Sequence, residues 1–201
     1  KKGGKMFKKF NILIITLASL ISFLSFSASA KGKLTLYCSV EIDVCEILVQ
    51  AFEKETGIDV AMTRKSSGET FAQIKAEASN PKGDVWFGGT GDPHLTAAQE
   101  GLTYEYKSVH FDDLLPAAQN QAINGNYQTV GIYVGALGFG YNKDIIASKG
   151  LPEPKSWADL TNPVYKGEIQ IANPNSSGTA YTTLATILQI FGEEKGWDYM
   201  K

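Results

Sequence analysis

Apolar and polar residues alternate from Leu34 to Ser39: Leu34, Leu36 and Cys38 share one face, and Thr35, Tyr37 and Ser39 the other. A period of two predicts a strand. The period then lengthens. Val44, Ile47, Leu48, Ala51 and Phe52 recur at i, i+3, i+4, i+7 and i+8, which predicts an amphipathic helix with that apolar stripe toward the core and Gly57 as its stop. Ile58–Thr63 reads as a second strand. Ser66 and Ser67 are N-cap candidates, and Ser66-x-x-Glu69 fits a capping box. Phe71, Ile74 and Ala78 mark the buried face of the next helix, which Asn80-Pro81 ends. Asp84–Phe87 is a third strand, short and apolar. Asp92-Pro93 then predicts the N-cap and first residue of a helix stopping at Gly101.

This order, β-α-β-α-β-α with short connections, predicts an α/β fold with a mainly parallel sheet covered by helices. Right-handed crossovers bring every strand-to-helix loop to one sheet edge, where open α/β folds bind ligands. Residues 103–128 are less regular. Thr129–Asn142 is a long extended stretch, and Pro152, Pro154 and Pro163 punctuate the next segment. Ser156 caps a short turn at Trp157–Leu160, Glu168–Ile171 reads as a strand, and a helix runs from about Ala180 to Phe191. A new segment starts at Glu193. The expected organisation is a leader over 1–30, a first lobe over 31–128, a crossing over 129–140, and a second, incomplete lobe over 141–201.

The leader is expected because Lys5, Lys8 and Lys9 precede an apolar run from Ile12 to Phe26 and a small-residue cleavage site at Ala28-Ser29-Ala30. The run is short for a membrane span, and the true start is expected at Met6. Beyond the leader, 14 basic residues face 21 acidic ones, a net charge near −7. Nucleic acid and an anionic membrane surface both need a basic footprint, so neither is an expected partner. Cys38 and Cys45 in an exported chain predict a disulfide. A C-x6-C spacing with no nearby His does not suit zinc.

One near-repeat carries the candidate chemistry. Ser66-Ser67-Gly68-Glu69 and Ser176-Ser177-Gly178-Thr179 each follow a predicted strand and open a predicted helix. Unpaired first-turn N–H groups, hydroxyls and the helix dipole make an anion cradle. Two such cradles, one per lobe, would clamp one ligand from both sides; the alternative is ordinary N-capping. Gly88-Gly89-Thr90-Gly91-Asp92-Pro93-His94 is a third loop on the same edge, and it lacks the Gly-Lys-Ser/Thr of a P-loop. Glu69 is a capping-box residue, an acceptor for ligand hydroxyls, or a ligand to a hard cation. His94 and His110 are the only histidines, and no nucleophile-elbow motif appears.

Leu34–Ser39, Phe52–Gly57, Arg64–Thr70, Gly83–Trp86, Gly88–His94 and Asn173–Thr179 together resemble the periplasmic binding proteins of the ferric-iron, hexose-phosphate and phosphonate importers. The resemblance covers nearly all of Lys33–Lys201. It implies a type II periplasmic-binding fold: two α/β lobes, crossing strands, and a cleft closing on the ligand, with more than 100 residues beyond Lys201. It implies a monomeric, non-enzymatic receptor, without a cofactor, for a small anionic nutrient, delivering to an ABC importer permease. Ser66, Ser67, Gly68, Ser176, Ser177, Gly178 and Thr179 are expected to hold the anion. Ser39, Glu69, Thr90 and Asp92 are expected to recognise the rest. Ferric iron with a synergistic anion, with Glu69 as a metal ligand, and a thiamine-type ligand are alternatives on the same fold. Ser39-Val40-Glu41 stands where iron-binding members often place a His. An exported phosphate-ester enzyme is the alternative from another class.

Overall fold

The structure, a computed structural model, describes residues 32–201. The leader and the start at Met6 lie outside the described residues. Three parallel strands form one sheet: β1 (Lys33–Cys38), β2 (Asp59–Arg64) and β3 (Val85–Phe87), in the order β2-β1-β3. Leu36 lies opposite Met62 on one side and Val85 on the other. Helix α1 (Ile42–Thr56) crosses from β1 to β2, α2 (Ser67–Ala76) from β2 toward β3, and α3 (Gly91–Gln99) follows β3. The order is the one the period changes predict. Because all three strands run the same way, Ser39, Lys65–Ser66 and Gly88–Thr90 leave the sheet at its carboxyl edge.

The core sits between α1 and one sheet face. Cys38 and Cys45 are fully buried and joined by a disulfide, with Cα atoms 6.2 Å apart. Closing so short a loop contributes about 2 kcal/mol. Leu34, Val40, Val49, Val60, Met62 and Phe87 pack around the bridge. The opposite face of β1 carries Tyr37, buried, whose hydroxyl donates to Glu77 at 2.7 Å.

The rotation of α1 differs from the expectation. Val44, Ile47, Leu48 and Phe52 are exposed, Ile47 by 65%. Three side chains at i, i+4 and i+8 turn the other stripe inward. Cys45 is bonded to Cys38, Val49 packs on the core, and Glu53 accepts the Val60 N–H at 2.8 Å. A covalent tie to β1 fixes the helix phase, and apolar periodicity alone does not.

The remainder is built from helices α4 (Pro116–Asn124), α5 (Lys143–Ser148), α6 (Gly178–Phe191) and α7 (Glu193–Tyr199), with 3-10 turns at Phe111–Asp113, Trp157–Thr161 and Pro163–Tyr165. Helix α4 begins with Pro116 in its first turn, a start signal within a stretch that reads as irregular. Ser156 caps the Trp157 turn with Asp159 as box partner. Neither Thr129–Asn142 nor Glu168–Ile171 forms a strand. A strand needs a neighbour to bond its N–H and C=O groups, and among the described residues neither segment is paired.

Candidate functional site

The candidate site is built at the carboxyl edge of the sheet from the ends of β1, β2 and β3. Ser66 is the N-cap of α2, in extended conformation. Its N–H donates to Glu69 Oε2 at 3.1 Å, and its hydroxyl lies 2.8 Å from the same oxygen. These two donors hold the Glu69 carboxyl below the usual carboxylate range. The Glu69 carboxylate is thereby bound to the cap. Ser67, the next residue, is buried, and its Oγ accepts the Thr90 N–H at 3.2 Å.

The two Ser-Ser-Gly segments meet although 110 residues separate them. Gly68 N–H donates to the Ser176 carbonyl at 3.0 Å, Glu69 N–H donates to the same oxygen at 3.3 Å, and the Ser66 hydroxyl, whose single proton serves either this oxygen or Glu69, lies against it. Glycine at position 68 permits this approach. A Cβ there would lie 2.5 Å from the Asn175 carbonyl oxygen and 2.8 Å from that of Ser176. Gly178 is equally confined, since its Cβ would overlap Thr90 Oγ1 and lie 2.8 Å from Ser67 Oγ. Thr90 is the N-cap of α3, two residues earlier than Asp92-Pro93 predicts, and the exposed Asp92 falls within the first turn. The β/extended backbone of Thr90 breaks the helix geometry there. The Thr90 hydroxyl is buried without a hydrogen-bond partner among the described residues, a cost that native interiors seldom carry.

Of the remaining predicted residues, Ser177 is the N-cap of α6, its Oγ accepting Ala180 N–H at 3.3 Å. Thr179 is exposed in the first turn of that helix. Ser39, nearly buried, bonds Thr70 Oγ1 at 3.1 Å and accepts Trp86 Nε1–H at 2.9 Å. Arg64 and Lys65 point their charges elsewhere. The Arg64 Nε–H donates to the Val40 carbonyl at 2.9 Å, and Lys65 Nζ–H donates to Gln73 Oε1 at 2.6 Å.

Sequence reasoning missed Tyr133. Its hydroxyl accepts Gly89 N–H at 2.7 Å and donates to the Gly89 carbonyl at 3.0 Å, so one oxygen braces a loop whose two glycines have φ of +77° and +90°. Such angles suit glycine alone without strain. The 44-residue separation leaves no spacing signal. His94 stacks on Trp86 with centroids 3.6 Å apart, and its Nε2 bonds the Gly88 carbonyl at 2.8 Å. Burial there pushes the imidazole below its ordinary pKa. That arrangement braces the same loop.

A groove of about 910 Å³ runs along β3, lined by Trp86, His94, Tyr104, Tyr106 and Tyr133 among others. It shares Gly88, Gly89 and Gly91 with the edge and none of the Ser-Ser-Gly residues. The convergent donors lie at the edge, not in the groove. Among the described residues, no group of three or more His, Cys, Asp or Glu is placed to hold a metal ion, and no helix is long and apolar enough to cross a membrane.

Comparison with known proteins agrees with this architecture. The chain is 46% identical over 176 residues to an uncharacterized protein of Haemophilus influenzae, covering 87% of this chain and 51% of that one. Among solved structures it resembles the periplasmic binding protein AfuA from Actinobacillus pleuropneumoniae, determined with exogenous fructose-6-phosphate bound. The TM-score is 0.80 and the identity 44%, over 86% of this chain and 54% of that one. The periplasmic binding protein P5PA matches with a TM-score of 0.80 and 42% identity, over 85% and 55% of the two chains. The chain thus spans about half the length of the relatives it matches. The bacterial extracellular solute-binding protein family matches residues 87–201, more than half of the chain. With a parallel β2-β1-β3 sheet, helices on both faces and a polar carboxyl edge, the chain belongs to the bacterial extracellular solute-binding proteins and has part of a type II periplasmic-binding fold.

Proposed function

We propose that this protein is the ligand-capturing receptor of an ABC importer, and that it holds a small phosphorylated or otherwise anionic metabolite between two lobes in the periplasm. Residues 31–128 would be the first lobe, 129–140 the crossing, and 141–201 the start of the second. The observation that carries this reading is the meeting of two Ser-Ser-Gly helix starts at one sheet edge, 110 residues apart in the chain. Ser66, Ser67, Gly68, Ser176, Ser177, Gly178 and Thr179 are the residues proposed to hold the anion, and the two helix starts add their dipoles. Ser39, Glu69, Thr90 and Asp92 are the groups for the ligand's neutral part. The buried Thr90 hydroxyl, without a partner, is suited to a ligand oxygen. Support comes also from the 44% identity to AfuA, whose structure holds fructose-6-phosphate.

The receptor is proposed to act as a monomer, without catalysis or a resident cofactor, and to dock on an importer permease when closed. Affinity would come from charge-assisted hydrogen bonds in a dried cleft. Calorimetric titration of the full chain with hexose phosphates, phosphonates and ferric citrate tests the ligand class. Hexose phosphates are expected to bind with one site per monomer. A red complex with ferric salt and no response to phosphate esters would overturn the reading in favour of iron. Turnover of a generic phosphate ester would overturn it in favour of an enzyme.

A further inference from the structure

Four successive backbone groups in the loop after β3 are each bonded to a side chain. The Gly88 carbonyl bonds His94 Nε2 at 2.8 Å, Gly89 N–H donates to the Tyr133 hydroxyl at 2.7 Å, the Gly89 carbonyl accepts from that hydroxyl at 3.0 Å, and Thr90 N–H donates to Ser67 Oγ at 3.2 Å. Backbone groups left out of a ladder need such partners, and here the partners decide where the loop sits.

The three side chains differ in origin. Ser67 and His94 belong to α2 and α3, the helices on either side of the loop in the chain. Tyr133 belongs to residues 129–140, the proposed crossing. Its stretch of backbone lies against α4, where a Cβ on Gly131 would come 2.8 Å from Ala118 Cα. The Tyr133 ring is half-exposed, and its one hydroxyl proton is given to the Gly89 carbonyl. That proton is not free for a ligand, so Tyr133 acts on a ligand through the loop. We infer that Tyr133 is a positioning residue for ligand capture: its hydroxyl ties the Gly88–Thr90 loop to the crossing and fixes where Thr90 stands at the sheet edge. This rests on the proposed ligand edge and crossing.

Thr90 follows Gly89 directly, and its side chain is packed against Gly178, where a Cβ would overlap Thr90 Oγ1. A loop released at Gly89 lets Thr90 shift from that place. Binding must then order the loop, and the lost pre-organisation lowers affinity. Ser67 and His94 still hold the loop when the Tyr133 hydroxyl is removed, so the fold persists and the effect falls on the ligand.

The test uses the full chain as wild type, Tyr133→Phe and Tyr133→Leu. Amide hydrogen exchange reads the loop itself. Exchange at Gly89 is expected to quicken about fivefold in both variants, the worth of one hydrogen bond. A positioning role also quickens exchange at Thr90, whose N–H is bonded to Ser67 and not to Tyr133. Titration with fructose-6-phosphate should show several-fold weaker binding in Tyr133→Phe, as weak as in Tyr133→Leu, carried by faster dissociation, with the melting temperature of Tyr133→Phe nearly that of wild type. Wild-type affinity in Tyr133→Phe, or quickened exchange confined to Gly89, would overturn the inference and make the hydroxyl a local brace. Quickened exchange at both amides in a protein whose wild type does not bind fructose-6-phosphate would uphold the tie between loop and crossing and count against the ligand class instead.

Discussion

The segments Ser66–Gly68 and Ser176–Gly178 have the same three residues and both lead into a helix, yet they use their polar groups in opposite directions. In the first, the N-cap is the first serine; in the second, it is the second serine. The reason is the residue after glycine. Glu69 takes the Ser66 N–H and hydroxyl, which fixes Ser66 as the cap and leaves the next N–H groups facing outward. The second segment has no acidic residue in its first turn. Its Ser177 hydroxyl accepts the Ala180 N–H itself, and Asn173 gathers the preceding N–H groups. That leaves the Ser176 carbonyl without an internal donor, and it turns to α2. One segment is a donor and the other an acceptor, from identical tripeptides. A short motif defines which groups are available, and its neighbours decide which way they point.

This contrast can be broken most severely through the ligand. If both segments clamp one anion, Ser67→Ala and Thr179→Ala should each weaken fructose-6-phosphate binding by roughly 1.5–3 kcal/mol, about one to two decades in Kd. Titration calorimetry alongside thermal melts reads the two effects apart. Ser177→Ala, which removes the cap of α6, should instead lower stability by about 1 kcal/mol. Unchanged affinity in both of the first two variants would reduce the segments to helix caps.

The glycines sharpen the comparison next. Gly68→Ala pushes a Cβ into backbone carbonyls, whereas Gly178→Ala meets only side-chain atoms, the Thr90 and Ser67 hydroxyls and the Thr90 methyl, which can shift more readily than backbone. Overpacking of backbone should cost about 2 kcal/mol at Gly68 and less at Gly178. Urea unfolding checks the order, and an equal or reversed cost would show that the two approaches are not of different kinds.

Tyr133→Phe removes both hydrogen bonds to Gly89 and keeps the ring. About 1 kcal/mol of bracing should be lost, seen as a several-fold weaker ligand affinity with a small change in melting temperature. An equal loss in both quantities would make Tyr133 an ordinary packing residue.

The smallest effect concerns pH. The folded pKa of His94 is depressed, so the unfolded chain takes up a proton first as pH falls. Stability is complete above about pH 6.5 and is lost as pH falls from there through the folded value. Urea midpoints between pH 7.5 and 5 should fall in wild type and stay flatter in His94→Asn. The carboxyls of Glu69 and Glu77, also depressed, act in a separate and lower window.

Much of the first half was legible. The period of two in Leu34–Ser39, the Ser66/Glu69 box and the Gly57 stop are local signals, and each formed where it reads. The facing of α1 was not legible, because it depends on a bond from Cys45 to a residue of another element. Helix α4 has few apolar residues at helical spacing, so its Pro116 start gave little warning. Glu168–Ile171 and Thr129–Asn142 have strand-like composition and no partner, and composition cannot supply the neighbour that makes a strand.

By itself, the sequence determined the order of strands and helices from β1 to α3, the disulfide pair, the three glycine-bearing loops and the supply of hydroxyls at two helix starts. These depend on local backbone preference and on residue chemistry. Only the tertiary structure decided that Ser176 would face Gly68, that Tyr133 would hold Gly89, and that Thr90 would keep a buried hydroxyl unbonded. The first two contacts join residues far apart in the chain, 44 positions for Tyr133 and Gly89 and 110 between the two serine segments. Their formation depends on how the packed elements share space, which no local pattern encodes.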